Sequence, residues 1–263
     1  MNISNSLFEK LGLHKAIAFG ASDLQPGLDS YNSKKVLFKA LDVGVEYFDT
    51  APRYLLSEKF LGEHLQNKEI KIATKVGLDP LGNFSSLVKS QLKRRLKKPF
   101  KYFKKKNISN YLCEDVVPST IYDKKSFARS IESSLRNLRR DYLDVLFLHE
   151  PENFINLDEL TEMLKSYKSK GYVGEIGFAC HRFTEKLNSA SDDDIFWQIP
   201  YSARHKFSSA KIGRRILYGT GGELYRDNQV VANYEKIRSE IFGDLLILKS
   251  NKASNLNWIS RVR

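Results

Sequence analysis

The chain has 263 residues, 41% of them hydrophobic and 28% charged, with a formal net charge of +12. That length is enough for one large core, and a barrel of alternating strands and helices takes about 250 residues as a single domain. Two cysteines (Cys113 and Cys180), no basic-then-apolar leader and no apolar run near the ~20 residues that span a bilayer imply a soluble or at most peripheral, cytoplasmic protein without structural disulfides.

Lys15 to Ser22 is a short apolar run closed by Gly20, followed by a turn-rich stretch with Pro26 and Gly27; it reads as a first strand. Ser33 to Val43 places Val36, Leu37, Ala40 and Leu41 on one helical face, with Gly44 where a helix stops. The second strand, Val45-Glu46-Tyr47-Phe48, ends in Asp49. Because Pro52 biases the residue before it towards an extended or turn conformation, Asp49 and Tyr54 are delivered into a polar turn. Ser57 then opens a helical pattern carrying Phe60, Leu61, His64 and Leu65, and Ile70 to Gly77 is a third strand with Lys75 near its end.

Residues 78–125 interrupt this βα alternation. The segment carries a net +8 of the total charge, and Val88, Leu92 and Leu96 recur at helical spacing opposite Lys and Arg, which marks an amphipathic basic helix ending before Pro99. Regular order resumes with Ser126 to Arg140, where Phe127, Ile131, Leu135 and Leu138 form a stripe. Leu143 to Pro151 is a fourth strand that ends in His149. Asn156 and Glu159 have capping-box spacing before a helix stopped by Gly171, and Val173 to Cys180 is strand five. Ile195 to Tyr201, Arg215 to Thr220 and Asp244 to Lys249 complete eight strands, with a short sixth helix over Ser208 to Gly213 and an eighth that ends with the chain.

Eight βα units imply parallel pairing with right-handed crossovers and a closed (β/α)₈ TIM barrel, an α/β fold formed by a single domain over 1–263. An open doubly wound sheet is the alternative, but no Gly-x-Gly-x-x-Gly follows the first strand. In such barrels chemistry sits at the carboxyl ends of the strands, where Asp49, Lys75, His149, Cys180 and Gln198 all fall. A tyrosine beside a lysine, an aspartate and a histidine suits proton transfer to a carbonyl oxygen. The ammonium of Lys75 is expected to bring the Tyr54 phenol below its usual value, Asp49 to hold Lys75 charged, and His149 to hydrogen-bond the substrate oxygen or the phenol. Such an acid needs a hydride donor that no side chain provides, which implies a nicotinamide cofactor.

Phe48 to Tyr54 with Ser57-Glu58, Ala73-Thr74-Lys75-Val76-Gly77, and Ser130 to Leu148 followed by His149-Glu150-Pro151 together resemble the aldo-keto reductase family. The resemblance implies carbonyl–alcohol interconversion on aldehydes, ketones or sugars, with Asp49, Tyr54, Lys75 and His149 as the catalytic set and Tyr54 as general acid and base. It also implies that Gln198 meets the nicotinamide carboxamide, that Tyr218 stacks on the ring and that Lys249-Ser250 contacts a 2′-phosphate. NADPH is thus favoured, with NADH the alternative because the family's arginine is Asn255 here. The family's usual Ser and Asn at the carboxamide are Ala179 and Cys180, and a thiol is a weak hydrogen-bonding group. These departures leave a second reading, a catalytically impaired barrel that senses or binds cofactor.

The basic insert emerges on the active-site face and reads either as a lid, with Tyr102, Phe103, Tyr111 and Tyr122 available, or as a solvated excursion. Its charge suits an anionic small-molecule substrate or a peripheral membrane contact through 86–106. No metal site and no nucleic-acid partner are expected, since no nucleic-acid fold signature accompanies the basic run.

Overall fold

Eight parallel strands close into a barrel in sequence order. They are β1 (Ile17–Gly20), β2 (Tyr47–Asp49), β3 (Lys71–Val76), β4 (Leu143–His149), β5 (Val173–Ala179), β6 (Ile195–Pro200), β7 (Arg215–Tyr218) and β8 (Leu245–Leu248). The structure is a computed structural model that describes residues 6–25, 30–66, 69–78, 122–154, 156–181, 187, 194–206, 214–241 and 244–262. Each expected strand is present. The pairings Ile17↔Leu246, Ala18↔Ile247 and Phe19↔Leu248 join β1 to β8, so the sheet has no free edge and the open doubly wound alternative is set aside.

Side chains alternate along every strand. Ala18, Tyr47, Ala73, Val145, Phe147, Phe196, Ile216, Leu245 and Ile247 fill the barrel interior, while their neighbours Ile17, Phe48, Ile72, Leu146, Ile176 and Trp197 join the larger cluster formed with the outer helices. Gly177 lies in register between Phe147 and Phe196. A Cβ there would meet Phe147 Cε1 and the Phe196 main-chain carbonyl, each at 2.5 Å, so the Phe147 ring lies where it does because the neighbouring strand lacks a side chain at this point. A short helix, α1 (Leu7–Lys10), is capped by Ser6 Oγ accepting from Glu9 N–H at 3.3 Å. Leu7, Phe8, Leu11 and Leu13 pack on the interior cluster.

The outer layer comprises α2 (Ser30–Asp42), α3 (Ser57–His64), α4 (Lys124–Leu138), α5 (Leu157–Ser169), α6 (Gly221–Leu224) and α7 (Val230–Glu240). Gly44 and Gly171 take φ +84° and +77°, as helix-ending glycines do. The expected capping box at α5 forms differently: the Asn156 side chain makes no cap to the backbone, and its Nδ2 donates instead to Glu159 Oε2 at 3.1 Å. With φ −93° and ψ 44°, Asn156 is not in the extended conformation that aims an N-cap side chain at the first turn.

Residues 79–121, and with them the expected basic helix and three of the four lid aromatics, lie outside the described residues, as does the expected helix over Ser208 to Gly213. Tyr122 is described, and it is core rather than lid. It is buried with its ring against Phe127 and Phe154, where its apolar surface is removed from water. The last helical element is a 3₁₀ segment, Ala253–Arg261, whose Leu256, Trp258 and Ile259 are buried. Among the described residues no helix is long and apolar enough to cross a membrane.

Candidate active site

Asp49, Lys75, His149 and Gln198 come from the carboxyl ends of β2, β3, β4 and β6. Lys75 and Asp49 are 2% and 4% exposed, and the Lys75 ammonium donates to both carboxylate oxygens of Asp49 at 2.8 Å and to the Thr50 carbonyl at 2.9 Å. All three donors of the lysine thus have a direction, two of them onto a carboxylate. Burial alone would discharge Lys75, but the Asp49 carboxylate and the Tyr54 phenol outweigh it and hold its pKa above the ordinary lysine value. The ammonium lies 5.0 Å from the centre of the Tyr54 ring. The imidazole of His149 meets that ring edge-on, with centroids 6.1 Å apart and planes at 87°.

Tyr54 departs from expectation. Its pKa is raised rather than lowered: burial disfavours the phenolate more than the Lys75 ammonium favours it, and Asp49 and Glu150 add to the rise. The lysine acts in the expected direction and loses to desolvation, which spacing in a sequence does not report. The phenol therefore keeps its proton across the neutral range. Burial, reinforced by the positive charges of Lys75 and Arg53, holds His149 well below the usual histidine range, so its imidazole is neutral at pH 7.

The residues assigned to a cofactor gather on the same face but are not uniformly available. Gln198 Nε2 donates to Asp49 Oδ1 at 2.9 Å, while its Oε1 is buried and has no hydrogen-bond partner among the described residues. A buried acceptor left open is costly unless a donor arrives, and the amide of a nicotinamide carboxamide is such a donor. Tyr218 is half-buried, with its hydroxyl donating to the Cys180 carbonyl at 3.0 Å. Cys180 and Ala179 are buried, and the Cys180 N–H donates to the Gln198 carbonyl at 2.8 Å, so at Cys180 the main chain makes these polar contacts. At the other end Lys249 is ion-paired with Asp23 at 3.1 Å, and Ser250 Oγ accepts from Lys252 N–H at 3.1 Å and donates to the Lys252 carbonyl at 3.0 Å. The open Gln198 acceptor fits a nicotinamide carboxamide, whereas Lys249 would meet a phosphate only in exchange for the Asp23 carboxylate.

Three contributors were not assigned roles from sequence. The Thr50 carbonyl aims Lys75, and a main-chain acceptor has no sequence signal. Arg53 contributes positive charge at His149. Glu58 is buried at 2% exposure and accepts from Thr74 Oγ1 at 2.6 Å and from Asn137 Nδ2 at 3.2 Å, tying α3 and α4 to the strand that carries Lys75. In the sequence it stood out only as part of the Ser57-Glu58 pair that follows the Asp49–Tyr54 turn. Among the described residues no group of His, Cys, Asp and Glu is arranged to hold a metal ion.

The structure is thus a closed (β/α)₈ barrel with a buried Lys–Asp pair beside a tyrosine and a neutral histidine. Comparison with known sequences makes this particular: residues 16–203 match the Aldo/keto reductase family, and the chain belongs to it. D-threo-aldose 1-dehydrogenase from a Pseudomonas species is 28% identical over 177 residues, covering 62% of this chain and 49% of that protein. The NADPH-dependent codeinone reductase 1-1 of Papaver somniferum is 26% identical over 188 residues, covering 64% of this chain and 49% of that protein. The chain therefore spans about half the length of these curated relatives. In fold it resembles the glycerol dehydrogenase of Gluconobacter oxydans, with a TM-score of 0.64, 17% identity and coverage of 94% of this chain and 85% of that one. An aldo-keto reductase from Klebsiella pneumoniae in complex with NADPH superposes with a TM-score of 0.59 at 16% identity, over 94% of this chain and 84% of that one.

Proposed function

We propose that this protein is a nicotinamide-dependent oxidoreductase that interconverts a small carbonyl compound and its alcohol, with Tyr54 as the group that gives and takes the proton. The observation that carries this reading is the buried Lys75–Asp49 pair set beneath a phenol whose proton is retained at neutral pH. When bound, the nicotinamide supplies or accepts the hydride. Tyr54 donates its proton to a carbonyl oxygen as that oxygen gains negative charge, and the neighbouring Lys75 ammonium stabilises the phenolate left behind. Asp49 keeps Lys75 charged and fixed, and the neutral His149 hydrogen-bonds the substrate oxygen. Gln198 Oε1 receives the carboxamide, Tyr218 offers a ring face, Ala179 and Cys180 flank that end, and Lys249 with Ser250 meets a 2′-phosphate. NADPH is the favoured cofactor and aldehydes, ketones or sugars the substrate class, with anionic members suited to the basic charge of residues 78–125, an insert within a single domain.

Titration with NADPH and NADH followed by protein fluorescence, and coenzyme oxidation assayed over a panel of aldehydes, ketones and sugars, test the reading. Tyr54→Phe is expected to abolish turnover while leaving coenzyme affinity within about twofold, because it removes the proton and keeps the ring. Turnover that survives Tyr54→Phe removes the phenol from the mechanism, and binding without turnover in the wild type favours the cofactor-sensing reading.

A further inference from the structure

Tyr54 lies in a loop that its own backbone only partly holds. Between Asp49 and Ser57 the chain turns through Pro52 and Leu55, and Leu55 has φ +62°, a conformation strained for a side chain with a Cβ. The turn bonds run from Tyr54 N–H to the Ala51 carbonyl at 2.9 Å and from Ser57 N–H to the Tyr54 carbonyl at 3.1 Å. The two peptide groups on either side of Leu55 are bridged from outside by one side chain. Gln25 Nε2 donates to the Tyr54 carbonyl at 2.9 Å, and Gln25 Oε1 accepts from Leu56 N–H at 3.0 Å.

Gln25 is itself anchored. Its Nε2 also donates to the Ser22 carbonyl at 3.1 Å, and its main-chain N–H donates to the buried Ser33 Oγ on α2 at 3.2 Å. The amide has a single workable orientation: two carbonyls face its nitrogen and one N–H faces its oxygen, so a flip would oppose like groups at all three contacts. The β1–α2 loop thereby grips the strained residue adjoining the phenol, adding two side-chain bonds on its flanking peptides to the Ser57 N–H to Tyr54 carbonyl bond and the Thr50–Ser57 hydroxyl bond that also close over Leu55.

We propose that Gln25 is a positioning residue for Tyr54, holding the Tyr54–Leu56 segment so that the phenol stays over Lys75 and against His149. The inference rests on the reading of Tyr54 as the proton carrier. Misplacing a reacting group by about 1 Å costs on the order of 10²-fold in rate, so loss of the clamp falls on kcat rather than on coenzyme binding.

Gln25→Met keeps length and apolar bulk but removes both halves of the amide; Gln25→Glu keeps an acceptor for Leu56 N–H and sets a carboxylate oxygen against two carbonyls. We expect Gln25→Met to lower kcat about 10- to 100-fold with the Kd for NADPH within about twofold of wild type, and to speed hydrogen exchange across residues 54–57. For Gln25→Glu we expect kcat to recover as pH falls and the introduced carboxyl gains a proton it can donate to the Tyr54 carbonyl, a pH limb absent from the wild type and from Gln25→Met. Unchanged kcat in Gln25→Met overturns the proposal. So does a parallel loss of kcat, NADPH affinity and Tm in both variants with no new pH limb, which would make Gln25 merely structural. Should the wild type bind coenzyme but lose no activity in Tyr54→Phe, the reading of Tyr54 fails; exchange across 54–57 in Gln25→Met then tells separately whether the clamp exists.

Discussion

Asp49→Asn isolates what the buried pair contributes. The substitution preserves the shape of the side chain and an acceptor for Gln198 Nε2, but leaves the Lys75 ammonium, 2% exposed, without its countercharge. Removing one partner of a buried, doubly hydrogen-bonded ion pair typically costs about 3–5 kcal/mol. At about 2 °C per kcal/mol for a chain of this size, Tm should fall by about 6–10 °C at pH 7. The sign of the pH dependence follows from the raised pKa of Lys75. The folded protein holds this proton more tightly than the unfolded chain, so the stabilisation is complete below the ordinary lysine value of about 10.4 and is lost as pH climbs through the higher folded value. Urea unfolding at pH 7 and pH 11 should therefore show a gap between wild type and Asp49→Asn that narrows at high pH. The double variant Asp49→Asn/Lys75→Met should be more stable than Asp49→Asn alone, because no buried charge is left unpaired. A loss below about 1 kcal/mol, or a gap that ignores pH, would refute the argument that the pair is desolvated and coupled.

Further expectations concern the rest of the site. His149 is held below its ordinary value, so the unfolded chain binds this proton more readily; stability should fall as pH drops from about 7 towards 5, and His149→Gln should flatten that slope in urea titrations. Asp23→Asn frees Lys249 from its carboxylate and should tighten NADPH about two- to fivefold relative to NADH, the effect shrinking at high salt; an unchanged ratio by fluorescence titration would deny Lys249 a phosphate role. Gly177→Ala forces a methyl group to within 2.5 Å of Phe147 Cε1 and the Phe196 carbonyl; a loss of about 3 kcal/mol or more is expected in urea unfolding, and Phe147→Leu in the same chain should recover part of it.

The eight strands were legible as apolar runs because each is buried on both faces, so each stands out from the polar turns that bound it. The placement of Asp49, Lys75 and His149 was legible for a related reason: each is a polar residue at or next to the end of such a run, and parallel strands put those ends on one face of the barrel. Three features could not be read this way. Closure rests on Ile17 pairing with Leu246 and Phe19 with Leu248, contacts between the two ends of the barrel that no local pattern encodes. Tyr122, read as a lid aromatic, is core because Phe127 and Phe154 surround it. The direction of the Tyr54 shift depends on how much water the folded loop excludes, and Asp23 at Lys249 and Gln25 across Leu55 are meetings of residues more than 25 positions apart. The sequence by itself determined which side chains carry charge and at which strand ends they emerge, since alternation and apolar runs are local. Only the tertiary structure decided which of them share a dry space, because desolvation and hydrogen-bond partners exist only once distant segments are brought together.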